Sequence, residues 1–363
     1  MILKVAIVGC GKIADGHIEE IKKLKNARVV AVSDVEQLMA EQLAARYQVP
    51  AHYDDFERML ENERPDVIHI TTPPRSHLSL ATTAIEAGCH VLVEKPVGVD
   101  YAETHQLVRF AEASRKKLTV GYTYVFDPPA VALRELIRRG HLGDPIHVES
   151  YYGYDLSGVF GRAVLESEDH WVHSLPGKLL QNNLDHVLNK FTEFIPDERP
   201  SVYATAYKRR REVCGDTRDD VFDELRAVIV GENTSAYATL SSHGKPAGHF
   251  LRFYGTKSAA HVDYIARTVT IDGRAKLPSA IGRLMPAFSQ SRQYFREGCK
   301  NVLRFARSEF QFFAGLNRLI ASFYDSIIAG SAPPISYGEI LRVAWLIDRV
   351  VEEVERSRAD KKK

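Results

Sequence analysis

The chain has 363 residues, of which 45% are apolar and 26% charged, ordinary globular proportions that exclude wholesale disorder. Lys and Arg exceed Asp and Glu by one, so a net charge of +1 gives no global basic field of the kind that points to nucleic acid. The longest stretch free of charged residues, Ser326–Gly338, has 13 residues and two prolines, well short of the roughly 20 apolar residues of a membrane span.

At about 150 residues per domain, two domains are expected. The chain opens directly into a strand, Ile2–Val8, with no signal peptide ahead of it, so the cytoplasm is the expected compartment. Up to residue 121, short Val/Ile runs alternate with helical spacing. Lys12–Leu24 is a helix, Arg28–Ser33 a strand and Val35–Tyr47 a helix. Val67–Thr71, Cys89–Val93 and Leu118–Gly121 are further buried-type strands, separated by helices over His77–Ala87 and Tyr101–Lys116. This pattern predicts an α/β Rossmann domain, a doubly wound parallel sheet covered on both faces, over residues 1–121.

After Gly121 the rhythm changes. Ala130–Arg139 and Leu179–Phe194 read as helices, and Ile146–Tyr154 as a strand. Six further strand-like runs follow between Val202 and Ile271, then helices over Phe288–Phe313, Leu316–Ala329 and Tyr337–Arg356. Residues 122–363 are therefore expected to form an α+β domain with a mostly antiparallel open sheet. The cysteines, Cys10, Cys89, Cys214 and Cys299, are widely spaced with no zinc-like pairing, and Cys10 and Cys89 read as buried thiols.

Gly9-Cys10-Gly11-Lys12-Ile13-Ala14 is G-x-G-x-x-A between the first strand and first helix. Gly9 permits the tight turn, Gly11 lets a pyrophosphate approach the backbone, and Ala14 allows close helix–strand packing. Lys12 and Ile13 open the helix whose unpaired N–H groups would meet the phosphates. Asp34 ends the second strand 20 residues after Ala14, where a carboxylate accepts from ribose hydroxyls and repels a 2′-phosphate. NAD is favoured over NADP. Asp34 is also placed to cap the helix that follows, and the two roles are compatible. Two more segments, Thr71-Thr72-Pro73-Pro74-Arg75-Ser76-His77 and Val93-Glu94-Lys95-Pro96, lie past the carboxyl ends of strands, where ligands bind in such sheets. A lysine there, beside a cationic nicotinamide, is suited to proton transfer.

At these residues the chain resembles the glucose–fructose oxidoreductase and inositol dehydrogenase (Gfo/Idh/MocA) family, with E-K-P as the most specific element. The resemblance implies that Lys95 is catalytic and that Thr72, Pro73, His77 and Glu94, with Thr71 beside them, line the cofactor cleft. A second motif of the family looks matched over residues 176–189, which places His186 on the catalytic histidine. The two acidic positions of that motif become Asn182 and Asn189 here. Asn182 and His186 share one helical face and can reach one substrate, but Asn supplies no charge to favour an imidazolium. Tyr124 stands where many relatives carry an arginine, and it remains placed to reach nicotinamide or substrate. Trp171, with His170 and His173, is expected at the rim of the sugar site. No metal is expected at Asp169, His170 and His173, since no fourth ligand is evident.

These readings lead to an NAD-dependent oxidoreductase acting on a secondary hydroxyl of a sugar or nucleotide sugar, with Lys95 and His186 handling the proton. NAD-assisted glycoside cleavage and a non-catalytic NAD- or sugar-sensing protein are the alternatives. The resemblance further implies a homodimer or homotetramer built through the open sheet. One feature stays outside the motifs: Arg292, Arg296, Lys300 and Arg304 recur every four residues, with Arg307 close by and Lys208–Arg211 as a second cluster. A solvated face, a diphosphate site and a helix held near anionic lipid are all open readings of that stripe.

Overall fold

In a computed structural model, residues 1–209, 221–273, 279–306 and 314–361 are described. Cys214, Arg307 and the Arg210–Arg211 half of the second basic cluster lie outside them. The chain divides into two compact units, Met1–Thr123 with Gly315–Trp345, and Tyr124–Ala314 with Leu346–Lys363.

The first unit begins with β1 (Leu3–Val8), α1 (Lys12–Lys22), β2 (Ala27–Ser33), α2 (Gln37–Tyr47), β3 (Ala51–Tyr53) and α3 (Phe56–Glu63). It continues with β4 (Val67–Ile70), α4 (His77–Glu86), β5 (His90–Val93), α5 (Tyr101–Ala113) and β6 (Leu118–Val120). The strands form a parallel sheet in the order β3-β2-β1-β4-β5-β6. That is the doubly wound order, whose reversal between β1 and β4 opens a crevice at the strands' carboxyl ends. Every residue of β4 is buried, as expected of a central strand covered on both faces. β3 and α3 lie within residues 48–66, where sequence patterning marks no element. β3 is a three-residue edge strand with no apolar run to announce it.

Late chain returns to this unit. In α10 (Ala314–Ala329), Phe323 and Tyr324 are fully buried. Lys117 Nζ donates to the Ser326 and Ser331 carbonyls, and Leu118 N–H donates to Tyr337 Oη at 3.1 Å. Sequence patterning instead assigns residues 315–345 to the second domain, because chain order carries no record of such a return.

The second unit contains α6 (Pro128–Arg138), β7 (Pro145–Gly153), α7 (Val159–Glu166), α8 (Lys178–Leu188), β8 (Ser201–Tyr207), β9 (Glu224–Val230) and β10 (Ser235–Ser241). β11 (His249–Gly255), β12 (Ala259–Asp263), β13 (Thr268–Asp272) and α9 (Ser279–Ala306) follow, and α11 (Tyr337–Lys361) ends in this unit. The sheet runs β13-β12-β11-β7-β10-β9-β8, antiparallel except where β7 meets β10. Strict alternation divides its faces. Val148, Leu225, Ala227, Ile229, Ala236, Ala238, Leu240, Leu251 and Phe253 are buried on one face, where Ser150 Oγ also donates to the Val187 carbonyl of α8. Tyr203 and Tyr237 are exposed on the other. α8 stops at Leu188 rather than Phe194; Asn189 ends it, and Thr192–Phe194 forms a separate turn of 3₁₀ helix.

Truncating Phe323 to Ala should remove about 3–5 kcal/mol of unfolding free energy in a urea titration, the cost of an emptied aromatic core site. A loss below about 1 kcal/mol would mean that α10 is not part of the first unit's core.

Candidate active site

The nucleotide end of the first unit is built from the turn after β1. Gly9 has φ +92°, and a Cβ there would lie 2.7–2.8 Å from Thr71 and Thr72, so only glycine fits. Thr71 Oγ1 locks that turn by donating to the Val8 and Gly9 carbonyls at 3.0 and 2.6 Å. Gly11 is the opposite case: a Cβ on it would meet nothing within 4 Å. It is the N-cap of α1 and supplies no side-chain cap to the first-turn N–H groups, including those of Lys12 and Ile13. A diphosphate fits this cradle.

Asp34 closes the cradle's other side. Its Oδ2 accepts from Cys10 N–H at 2.6 Å and its Oδ1 from Glu36 N–H at 3.0 Å. Each carboxylate oxygen retains a lone pair for a ribose hydroxyl. The helix cap expected of Asp34 is displaced, since α2 begins at Gln37 and its N-cap is Glu36. Cys10 is buried, and burial together with Asp34 pushes its thiol up to about 12, which leaves it unreactive.

The two segments past β4 and β5 are joined by His77. This ring is fully buried, with Nδ1 2.9 Å from the Pro96 carbonyl oxygen and Nε2 2.8 Å from that of Thr72. His77 thus braces the turn carrying Thr72 and Pro73 against the turn carrying Lys95, while Pro73 stays exposed and Lys95 half-buried.

Glu94 is held from two sides. Oε1 accepts from His17 Nε2 at 3.0 Å, and Oε2 accepts from Lys95 N–H at 3.1 Å. Burial alone would raise its carboxyl, but His17 and the Lys95 charge outweigh burial and hold it below the usual carboxylate range. Behind it runs a chain no motif announces. His17 Nδ1 lies 2.8 Å from His69 Nδ1, and His69 Nε2 lies 2.8 Å from Tyr324 Oη, with His17, His69 and Tyr324 all fully buried. Burial drives His69 well below its ordinary pKa, with His17 adding to the shift, and keeps Tyr324 protonated. One direction follows from matching donors to acceptors: His17 Nε2–H donates to the Glu94 carboxylate, and of the facing His17 and His69 Nδ1 atoms one carries the hydrogen that the other accepts. A Cβ on Gly121 would stand 2.6 Å from Glu94 Oε1, so glycine is required there as well. His69, a polar residue inside an otherwise apolar buried strand, is the sequence signal for this chain.

In the second unit, the rings of His186 and Tyr124 lie 5.2 Å apart. Tyr152 packs 4.9 Å from His186, and His249 packs 4.3 Å from Tyr124. Tyr264 stacks on His249 at 4.6 Å. His186 is half-buried, whereas Asn182, Asp185 and Asn189 around it on the same helical segment are buried. Burial raises the Tyr124 phenol well above its usual value, helped by its hydrogen bond with Tyr152. Lys190, only 2% exposed, places its Nζ 5.1 Å from the Tyr264 ring centre, and burial depresses its pKa strongly. Tyr152, Lys190, His249 and Tyr264 belong to this cluster without belonging to any motif. Trp171 packs on a cluster of Leu156, Val164, Leu165, Val172, Leu179 and Val221, with His170 beside it.

Residues 3–122 match the model of an oxidoreductase family described by its NAD-binding Rossmann fold. The chain is 32% identical over 168 residues to D-glucoside 3-dehydrogenase of Escherichia coli, 46% of this chain and 48% of that protein. It is 32% identical over 152 residues to inositol 2-dehydrogenase 1 of Saccharopolyspora erythraea, covering 41% and 45% respectively. The matches thus span about half the length of these curated relatives. The WlbA dehydrogenase from Bordetella pertussis, solved in complex with NADH and UDP-GlcNAcA, has the same fold. It superposes with a TM-score of 0.78 at 15% identity, over 98% of this chain and 96% of that one.

His69, His77 and His249 all have pKa values lowered from 6.5 by burial. Below pH 6.5 the unfolded chain takes up protons that the folded chain refuses, so stability falls as pH drops through that value. His69→Gln should shrink the stability lost between about pH 6.5 and 5, read from urea midpoints, because one such site is gone. An unchanged pH slope would contradict a His69 that stays neutral in the folded chain.

Proposed function

Through residues 3–122 the chain belongs to the Gfo/Idh/MocA oxidoreductase family, and on that footing we propose that it is an NAD-dependent oxidoreductase acting on a secondary hydroxyl of a sugar or nucleotide sugar. The observation that carries this reading is Lys95 at the carboxyl end of β5, next to a carboxylate pinned by His17, in the sheet whose first turn is open over Gly11. The relatives named for a D-glucoside and an inositol, and the fold neighbour solved with UDP-GlcNAcA, support the substrate class.

Gly9 forms the tight turn, Gly11, Lys12 and Ile13 hold the diphosphate on backbone N–H groups, and Asp34 accepts from the ribose diol. A 2′-phosphate would meet the Asp34 carboxylate with Val35 and Glu36 next in sequence, so NAD is preferred to NADP. When bound, the nicotinamide supplies the acceptor or donor of a hydride. Lys95 takes or returns the proton of the substrate hydroxyl. The fixed Glu94 carboxylate accepts from the Lys95 backbone N–H and so holds the turn that carries the Lys95 side chain. Thr71, Thr72, Pro73 and His77 shape the turn beside it. Tyr124, Trp171, Asn182 and His186 bind the substrate, with His186 as a second proton-handling group. Asn182 orients hydroxyls by hydrogen bonding and, unlike an aspartate, carries no charge of its own. We place self-association, as a homodimer or homotetramer, on the outer sheet face that carries Tyr203 and Tyr237.

Lys95→Ala should lower turnover by about 10²–10⁴-fold while NAD binding is kept, the contribution of one proton-transfer group. An unchanged rate would reject the mechanism. Asp34→Ala should narrow the preference for NAD over NADP in a binding titration; equal affinities in the unmodified chain would remove the role given to Asp34.

A further inference from the structure

α9 is amphipathic in the reverse sense. A surface helix ordinarily buries its apolar stripe and shows its polar one to water. Here the inward stripe is polar. Gln293 exchanges hydrogen bonds with the Ile271 backbone at 2.8 and 3.0 Å, Gln290 Nε2 donates to Asp272 Oδ1 at 2.7 Å, and Asn301 Nδ2 donates to the Ala266 carbonyl at 2.8 Å. Glu297, on the same stripe, is 6% exposed. The opposite face carries Leu284, Phe288, Phe295 and Val302 at 62–77% exposure. At about 100° per residue the two stripes lie roughly 150° apart.

Charge on this helix is one-sided. Arg283, Arg292, Arg296, Lys300 and Arg304 stand against a single acidic residue, Glu297, which is turned inward. Lys300 pairs with Glu297 at 2.6 Å and its side chain stays 47% exposed; that of Arg296 is 67% exposed. Arg292 and Arg296 border the apolar stripe, and no carboxylate on the helix faces outward beside them. We propose that α9 docks the protein on an anionic phospholipid surface, lying in the plane of the interface with Leu284, Phe288, Phe295 and Val302 in the acyl boundary and the arginines at the headgroups.

Three observations select this occupant. An anionic bilayer satisfies the apolar stripe and its cationic border together. A two-fold related copy would set the same cationic border against itself, since the one carboxylate of each helix, Glu297, is turned inward. The helix has 28 residues, a length of roughly 42 Å, and no described helix is long and apolar enough to cross a membrane. A helix of that length with one apolar stripe suits a flat surface rather than a pocket.

The test is sedimentation of the full chain with vesicles of phosphatidylcholine and phosphatidylglycerol, against vesicles of phosphatidylcholine alone. The chain should pellet with the anionic vesicles at low salt, and less as salt screens the arginines. Phe288→Ser with Phe295→Ser should lower the partition coefficient by roughly tenfold or more for each ring withdrawn. Arg292→Ser with Arg296→Ser should also lower it and remove much of the salt dependence. Both pairs sit on exposed positions and should leave the urea midpoint and turnover unchanged. A parent chain that stays in the supernatant with anionic vesicles overturns the proposal. So does a Phe-to-Ser pair that pellets like the parent. Loss of mass by light scattering in that pair, with no vesicle binding by the parent, would identify α9 as a contact between copies instead.

Discussion

A carboxylate at the end of a buried strand stays ionised only if donors surround it, and the candidate catalytic end of this fold depends on how Glu94 is supplied with them. One N–H comes from the backbone of Lys95 and the other from His17 on α1. His17 in turn meets His69 on β4 through their Nδ1 atoms, and His69 Nε2 meets Tyr324 Oη on α10, 255 residues further along the chain. Four segments are thereby joined in one buried hydrogen-bond chain that ends on the Glu94 carboxylate. The return of α10 to the first unit therefore completes this chain as well as filling a core.

The second unit solves a different problem. Its sheet buries small and branched residues on one face, and α8 lies across that face with Ser150 fixed to the Val187 carbonyl. Among residues 181–190 only His186 is half-buried rather than buried. The rings of Tyr124 and Tyr152, backed by His249 and Tyr264, restrict its orientation. Burial first, and then the neighbouring Lys190, disfavour charge on His249, so His249 serves this cluster as a neutral ring.

Much of the first unit was legible because its signals are local. Gly9, Gly11 and Ala14 fall in one turn, Asp34 follows at a fixed offset, and the strands are continuous Val/Ile runs. The sheet faces of the second unit were legible for the same reason, since alternation is a two-residue pattern. What escaped is non-local. β3 and α3 carry too little apolar pattern to stand out, Asn189 ends α8 early, and Tyr324 gains its meaning only from His69 at the other end of the chain. Tyr152, Lys190, His249 and Tyr264 come together from separate strands and loops, and no spacing in the sequence links them. The basic stripe of α9 and the apolar residues on its other faces were visible in sequence, but which face turns inward was not: Gln290, Gln293 and Asn301 make the inward contacts.

The most direct test of hydride chemistry under Lys95 control is to follow deuterium from the carbinol carbons of perdeuterated pyranosides, inositols and nucleotide sugars incubated with the chain and NAD. Deuterium should appear in the reduced nicotinamide, detected by mass spectrometry, and should appear at least about a hundredfold more slowly in the Lys95→Ala variant. Deuterium released into water with no reduced nicotinamide, or labelling of the nicotinamide that is indifferent to Lys95, would contradict the account.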